Sequence, residues 1–82
     1  MRDSDRLRLI TDAFAAVFPD AALTPESDFF ALGGDSIRAV ELALALERAL
    51  GKPVHPAILI HDSRIVDLAV ALGSGGSAAQ NS

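Results

Sequence analysis

Leu32-Gly33-Gly34-Asp35-Ser36-Ile37 is the stretch that decides how the rest of the chain is read. Two adjacent glycines release the backbone from Cβ constraints, so the chain can turn sharply there. Asp35 and Ser36 stand where helix start signals belong, as short oxygen-bearing side chains just before a periodic apolar run. A hydroxyl at that place is exposed, lies near the positive end of a helix dipole and suits an anionic group. A plain loop with an N-cap has the same local pattern, and the flanking residues separate the two readings.

Taken with its flank, Asp28-Phe29-Phe30-Ala31-Leu32-Gly33-Gly34-Asp35-Ser36-Ile37 resembles the signature of thiolation domains, the peptidyl carrier proteins of nonribosomal peptide synthesis. The resemblance runs from about Leu7 to Leu72. It implies an all-α fold, a small four-helix bundle of the acyl carrier protein type with three longer helices and one short third helix. It also implies that Ser36 is the attachment point of 4'-phosphopantetheine, whose terminal thiol carries an amino acid or peptide as a thioester. The partners implied are a phosphopantetheinyl transferase that takes the arm from coenzyme A, an adenylation enzyme that loads it, and condensation, tailoring or thioesterase enzymes that receive the cargo.

Length and composition set the outer limits. Eighty-two residues bury only a modest core, with little room for an enclosed active site. Half the residues are hydrophobic, yet Trp and Tyr are absent, and alanine and leucine dominate the apolar set, which favours closely packed helices. With no cysteine there is no disulfide framework, thiolate ligand or cysteine nucleophile, and any thiol chemistry must come from an attached group. A net charge of -4, with scattered basic residues, argues against nucleic-acid binding. No apolar run approaches membrane-spanning length. The N-terminus is polar and lacks a signal-peptide core, so the expected compartment is the cytoplasm. A monomer is expected, and Met1 with a short tail is compatible with a free-standing protein.

Upstream, Leu7, Ile10, Phe14 and Val17 recur at helical spacings and predict an amphipathic core helix over about Ser4 to Phe18. Asp3, Ser4 and Asp5 supply a cap and an acidic first turn, and Pro19-Asp20 stops the helix. The connection from Asp20 to Asp35 is long for so small a domain. Thr24-Pro25-Glu26-Ser27 reads as a single capped turn, and at least one of Phe29 and Phe30 is expected to pin the loop to the core.

Downstream, the helix predicted over about Ser36 to Leu50 has two apolar faces. At about 100° per residue, Ala39, Leu42, Ala43, Leu46, Ala49 and Leu50 fall on one side. Ile37, Val40 and Leu44 fall on the other, beside Glu41 and Arg48. One face suffices for the core of a small bundle. The wider stripe is expected to be core, which leaves the narrower one exposed beside Ser36 as a docking surface. The other possibility is a central helix buried all round. By resemblance, the docking set is Asp35, Ile37, Arg38, Val40, Glu41, Leu44 and Arg48, with a rim of mixed charge. Gly51 ends the helix and Lys52-Pro53 confirms the stop.

Val54-His55-Pro56-Ala57-Ile58-Leu59-Ile60-His61 reads as a strand by β-branching or as a short helix from near Pro56. The helix is the better reading, because nothing else in the chain could pair with a strand. His55 and His61, six apart, match no metal motif and are expected to be surface or capping residues; no metal site is expected. Asp62 or Ser63 is expected to cap a last helix over about Arg64 to Leu72, with Ile65, Leu68, Ala69 and Leu72 as its core stripe. The carrier family usually shows an aromatic and a Pro-Thr pair before this helix, whereas Ile60 and Ser63-Arg64 stand here. Residues 1–72 are thus read as the carrier domain and 73–82, beginning Gly73-Ser74-Gly75-Gly76-Ser77, as a flexible tail.

Three other functions share features with this sequence. Gly34-Asp35-Ser36-Ile37 superficially resembles the GDS-type serine hydrolases, but Arg38 stands where a nucleophile elbow has glycine, and no triad is evident, so catalysis is not expected. An acyl carrier protein of polyketide or fatty-acid synthesis shares the fold and the modified serine; the paired glycines, the paired phenylalanines and the modest charge look more like peptidyl carriers. A helical adaptor, with Ser36 only a helix cap, is the remaining alternative.

Overall fold

The structure, a computed structural model, describes the backbone of residues 3–78 and the side chains of residues 4–73. Four helices follow in order: α1 (Asp3–Val17), α2 (Ser36–Leu50), α3 (Ile58–His61) and α4 (Ile65–Ala78). Among the described residues there is no strand, only one isolated antiparallel bridge between Asp28 and Arg64. The all-α bundle with a short third helix is as the sequence predicts, and α2 has the predicted bounds. None of the described helices is long and apolar enough to cross a membrane.

The core is assembled from the stripes that periodicity selects. Ile10, Ala13 and Phe14 of α1 meet Leu42, Ala43 and Leu46 of α2 and Ile65, Leu68 and Leu72 of α4. Leu59 is the one fully buried residue of α3. α1 packs on both α2 and α4. The α2 helix keeps two different apolar faces: Leu46 is fully buried, whereas Leu44 is 46% and Val40 50% exposed. A helix central on all sides is therefore ruled out.

Local chemistry explains the joints. Phe18 N–H still bonds the Phe14 carbonyl at 2.7 Å, and Pro19-Asp20 then close a turn in which Ala21 N–H reaches the Phe18 carbonyl at 3.1 Å. The α1 cap lies outside the described residues. α2 ends at Gly51, in the left-handed conformation, with its N–H on the Glu47 carbonyl. The Glu47 side chain reaches on to accept the Val54 N–H at 3.2 Å. The strand alternative at 54–61 fails because three successive i to i+3 bonds, starting from the His55 carbonyl, wind this segment into α3.

Two expectations at α4 need correction. Neither Asp62 nor Ser63 caps it through a side chain. The first free N–H groups, on Ile65 and Val66, donate to the carbonyls of Ser27 at 3.1 Å and Pro25 at 2.9 Å. The loop before α2 thus satisfies donors that a helix start leaves open, and the Ser63 hydroxyl is free to bond elsewhere. At the other end α4 runs on to Ala78, so part of the stretch read as flexible is helical. No proline interrupts it, and Gly73 fits where a Cβ would meet the Arg6 guanidinium of α1 at 2.5 Å. Residues 79–82 of the predicted tail lie outside the described residues.

The two faces of α2 give a direct prediction. Leu46→Ala should destabilise the domain by about 3 kcal/mol through lost burial and a residual cavity. Leu44→Ala should cost less than about 0.5 kcal/mol. Urea unfolding of the two variants against the parent checks both values.

Candidate functional site

Residues Asp28 to Ser36 form one continuous device. Leu32 N–H bonds the Asp28 carbonyl at 3.0 Å, Gly33 N–H the Phe30 carbonyl at 3.1 Å and Gly34 N–H the Phe29 carbonyl at 3.0 Å. The coil unwinds at Gly33, whose φ of 97° is unfavourable for any residue with a Cβ. At Gly34 the demand is different. A Cβ there would lie 2.4–2.6 Å from three atoms of the Phe29 ring. Phe29 is 1% exposed and makes an edge contact with Phe18, with ring centroids 5.8 Å apart. The two phenylalanines thus divide their tasks: Phe29 pins the loop to the core, and Phe30 is half exposed.

Past the glycines, Asp35 takes the capping role. Its backbone is extended and its Oδ1 accepts the Arg38 N–H at 2.9 Å. Its carbonyl accepts the Ala39 N–H at 2.8 Å. Ser36 is therefore the first helical residue and not the cap, which corrects the reading in which its hydroxyl serves only the helix. Ser36 is exposed, and among the described residues neither its hydroxyl nor its N–H has a hydrogen-bond partner. The Ile37 N–H is open in the same way.

The predicted surface residues lie where the wheel puts them. Ile37 is 70% exposed, and it continues through Val40 and Leu44 as an apolar strip from the serine along α2. Arg38, Glu41 and Arg48 are exposed as well, so the charged groups on this helix have mixed sign. Ile60 of α3, noted in the sequence only as a departure from the carrier pattern, is 73% exposed. Of the histidines, His55 accepts the Ala57 N–H on Nδ1 at 3.0 Å, a local capping role. Among the described residues no group of His, Cys, Asp and Glu could hold a metal ion.

Sequence reasoning passed over one polar contact. The Ser63 hydroxyl donates to Asp28 Oδ1, and Asp28 Oδ2 accepts the Ala31 N–H at 3.0 Å. These bonds, the serine hydroxyl first, hold the Asp28 carboxyl below its ordinary value of 3.8. The local half was legible, since Asp followed by an N–H three residues on is an Asx-type turn. The partner 35 positions away carried no signal.

Comparison with known proteins agrees with this geometry. Residues 8–72 match the family described as phosphopantetheine attachment site, and the chain belongs to that family of carrier domains, which bear covalently attached 4'-phosphopantetheine. A segment of 47 residues is 47% identical to the hybrid PKS-NRPS synthetase phm1 of Pyrenochaetopsis sp. That match covers 57% of this chain and 1% of the synthetase. The fold superposes with a TM-score of 0.84 on BlmI, a type-II acyl-carrier-protein from Streptomyces verticillus involved in bleomycin biosynthesis, at 21% identity over 93% of this chain and 92% of that one. The site suits the family's group: an exposed, uncommitted hydroxyl opens a helix whose N-terminal partial positive charge favours a phosphodiester.

The division of labour between Asp35 and Ser36 is testable. Asp35→Ala should cost about 1 kcal/mol of stability, whereas Ser36→Ala should leave stability within about 0.5 kcal/mol of the parent. Thermal or urea unfolding distinguishes them; equal losses would mean that both side chains cap.

Proposed function

We propose that this chain is a carrier protein of nonribosomal peptide or related natural-product biosynthesis, holding an aminoacyl or peptidyl intermediate on a 4'-phosphopantetheine arm joined to Ser36. The observation that carries the reading is the exposed Ser36 hydroxyl, freed from capping by Asp35 and opening directly onto the Ile37, Val40 and Leu44 strip. When attached, the group supplies a terminal thiol on a long flexible arm, a chemistry that a chain without cysteine does not have itself.

Each residue then has a task. Phe29, Gly33 and Gly34 shape the turn, Asp35 fixes the helix start, and Ser36 offers Oγ to a phosphopantetheinyl transferase that brings coenzyme A and magnesium. Ile37, Val40 and Leu44 dock apolar surface of successive partners, with Arg38, Glu41 and Arg48 on the rim. An adenylation enzyme loads the arm, and condensation, tailoring or thioesterase enzymes take the cargo. Tethering raises the effective concentration of the cargo at each partner, so docking itself can stay weak enough for exchange. A second reading, an acyl carrier of polyketide or fatty-acid synthesis, draws support from the type-II acyl-carrier-protein with the same fold and from the hybrid character of the related synthetase.

Intact mass after incubation with coenzyme A, magnesium and a broad-specificity phosphopantetheinyl transferase tests the proposal. The parent should gain the mass of one arm and Ser36→Ala should gain none. A folded parent that gains nothing contradicts the proposal. Loading the modified protein with amino acids or with acyl groups then decides between the two cargo classes.

A further inference from the structure

The Asp28 carboxylate joins the serine turn to the α3–α4 junction. One oxygen accepts the Ala31 N–H inside the coil that leads to Gly33 and Gly34, and the other accepts the Ser63 hydroxyl. The backbone repeats the connection: Phe29 N–H donates to the Ser63 carbonyl at 2.8 Å, and Ile65 N–H to the Ser27 carbonyl. Asp28 is not a member of the core cluster and is only partly buried. Its loss would therefore loosen this loop more than it would empty the interior. Because α2 starts directly from the same coil, the strap fixes where the Ser36 hydroxyl stands.

We infer that Asp28 and Ser63 are positioning residues for arm attachment: their hydrogen bond holds the Asp28–Gly34 coil so that Ser36 Oγ is presented to the transferase. The inference rests on the carrier reading above. It predicts a specific kinetic division. Loosening the coil misplaces the reacting oxygen, which affects turnover, while the α2 docking strip stays intact and substrate recognition with it.

The groups that face Asp28 define the controls. Arg64, its bridge partner, lies on the same junction and is ion-paired to Asp67 at 3.7 Å. Asp62 precedes Ser63 in the chain, and the Asp35 side chain is the cap directly before Ser36. The signal to be read is therefore the one that disappears with Asp28. In amide NMR spectra of the unmodified protein, Gly33, Gly34 and Ser36 should shift with acid at a midpoint below 3.8, the ordinary value from which Asp28 is lowered. That component should vanish in Asp28→Asn.

Arm transfer, followed by intact mass against carrier concentration, gives the second readout. Asp28→Asn and Ser63→Ala should each lower kcat about tenfold with KM within about twofold of the parent. Ser63→Thr, which keeps the hydroxyl, should restore turnover. If Asp28→Asn does not fold, Ser63→Ala and Ser63→Thr decide the question alone. Folded variants with the parent's kcat, or glycine and serine amides indifferent to Asp28, overturn the inference. A parent that takes no arm overturns the carrier reading instead, and the amide titration still decides whether the strap sets the serine turn.

Discussion

The edge of the Phe29 ring occupies the space that a Cβ at position 34 would fill. This contact does more than bury an aromatic. It ties an exposed loop to the interior at the residue where the backbone must straighten before Asp35, and so fixes the start of α2. Phe29 is held from behind by Phe18, just past the end of α1, and flanked by Phe30, whose ring centroid lies 5.2 Å away. The position of one surface hydroxyl is thereby set by a contact inside the core, which is how a small domain can present a defined reactive atom.

The second constraint is economy of apolar surface. A domain of this size buries a modest fraction of its chain and has little stability to spare. It nevertheless leaves Ile37, Val40 and Leu44 in solvent on α2. The buried face of α2, with Leu42, Ala43 and Leu46, is sufficient to hold it against α1. The exposed face is then free for partners, and its proximity to Ser36 follows from helix geometry alone.

Much of this was legible in the sequence because it depends on local periodicity. The bounds of α2, the stripe in α1 and the separation of Leu44 from Leu46 follow from 3.6-residue spacing and a Gly-Gly-Asp start. Assigning one phenylalanine to the core was possible; which one was not, since both sit in a loop with no period. What the sequence hid was non-local. The start of α4 is capped by the Ser27 and Pro25 carbonyls, and a carbonyl has no side-chain signature. Ser63 looked like a cap by position, but its partner is Asp28. The extension of α4 through Gly73 to Ala78 defeated composition, because glycine and serine disfavour helix without forbidding it.

The most direct test of the account is a double-mutant cycle on Gly34 and Phe29, measured by urea unfolding. Gly34→Ala alone forces its methyl into the Phe29 ring and should destabilise strongly. In a Phe29→Leu background the ring edge is gone and the same substitution should cost much less, a coupling of at least about 1 kcal/mol. Additive losses would mean that the ring does not dictate glycine at position 34, and that the serine turn is held by something other than the contact on which this account depends.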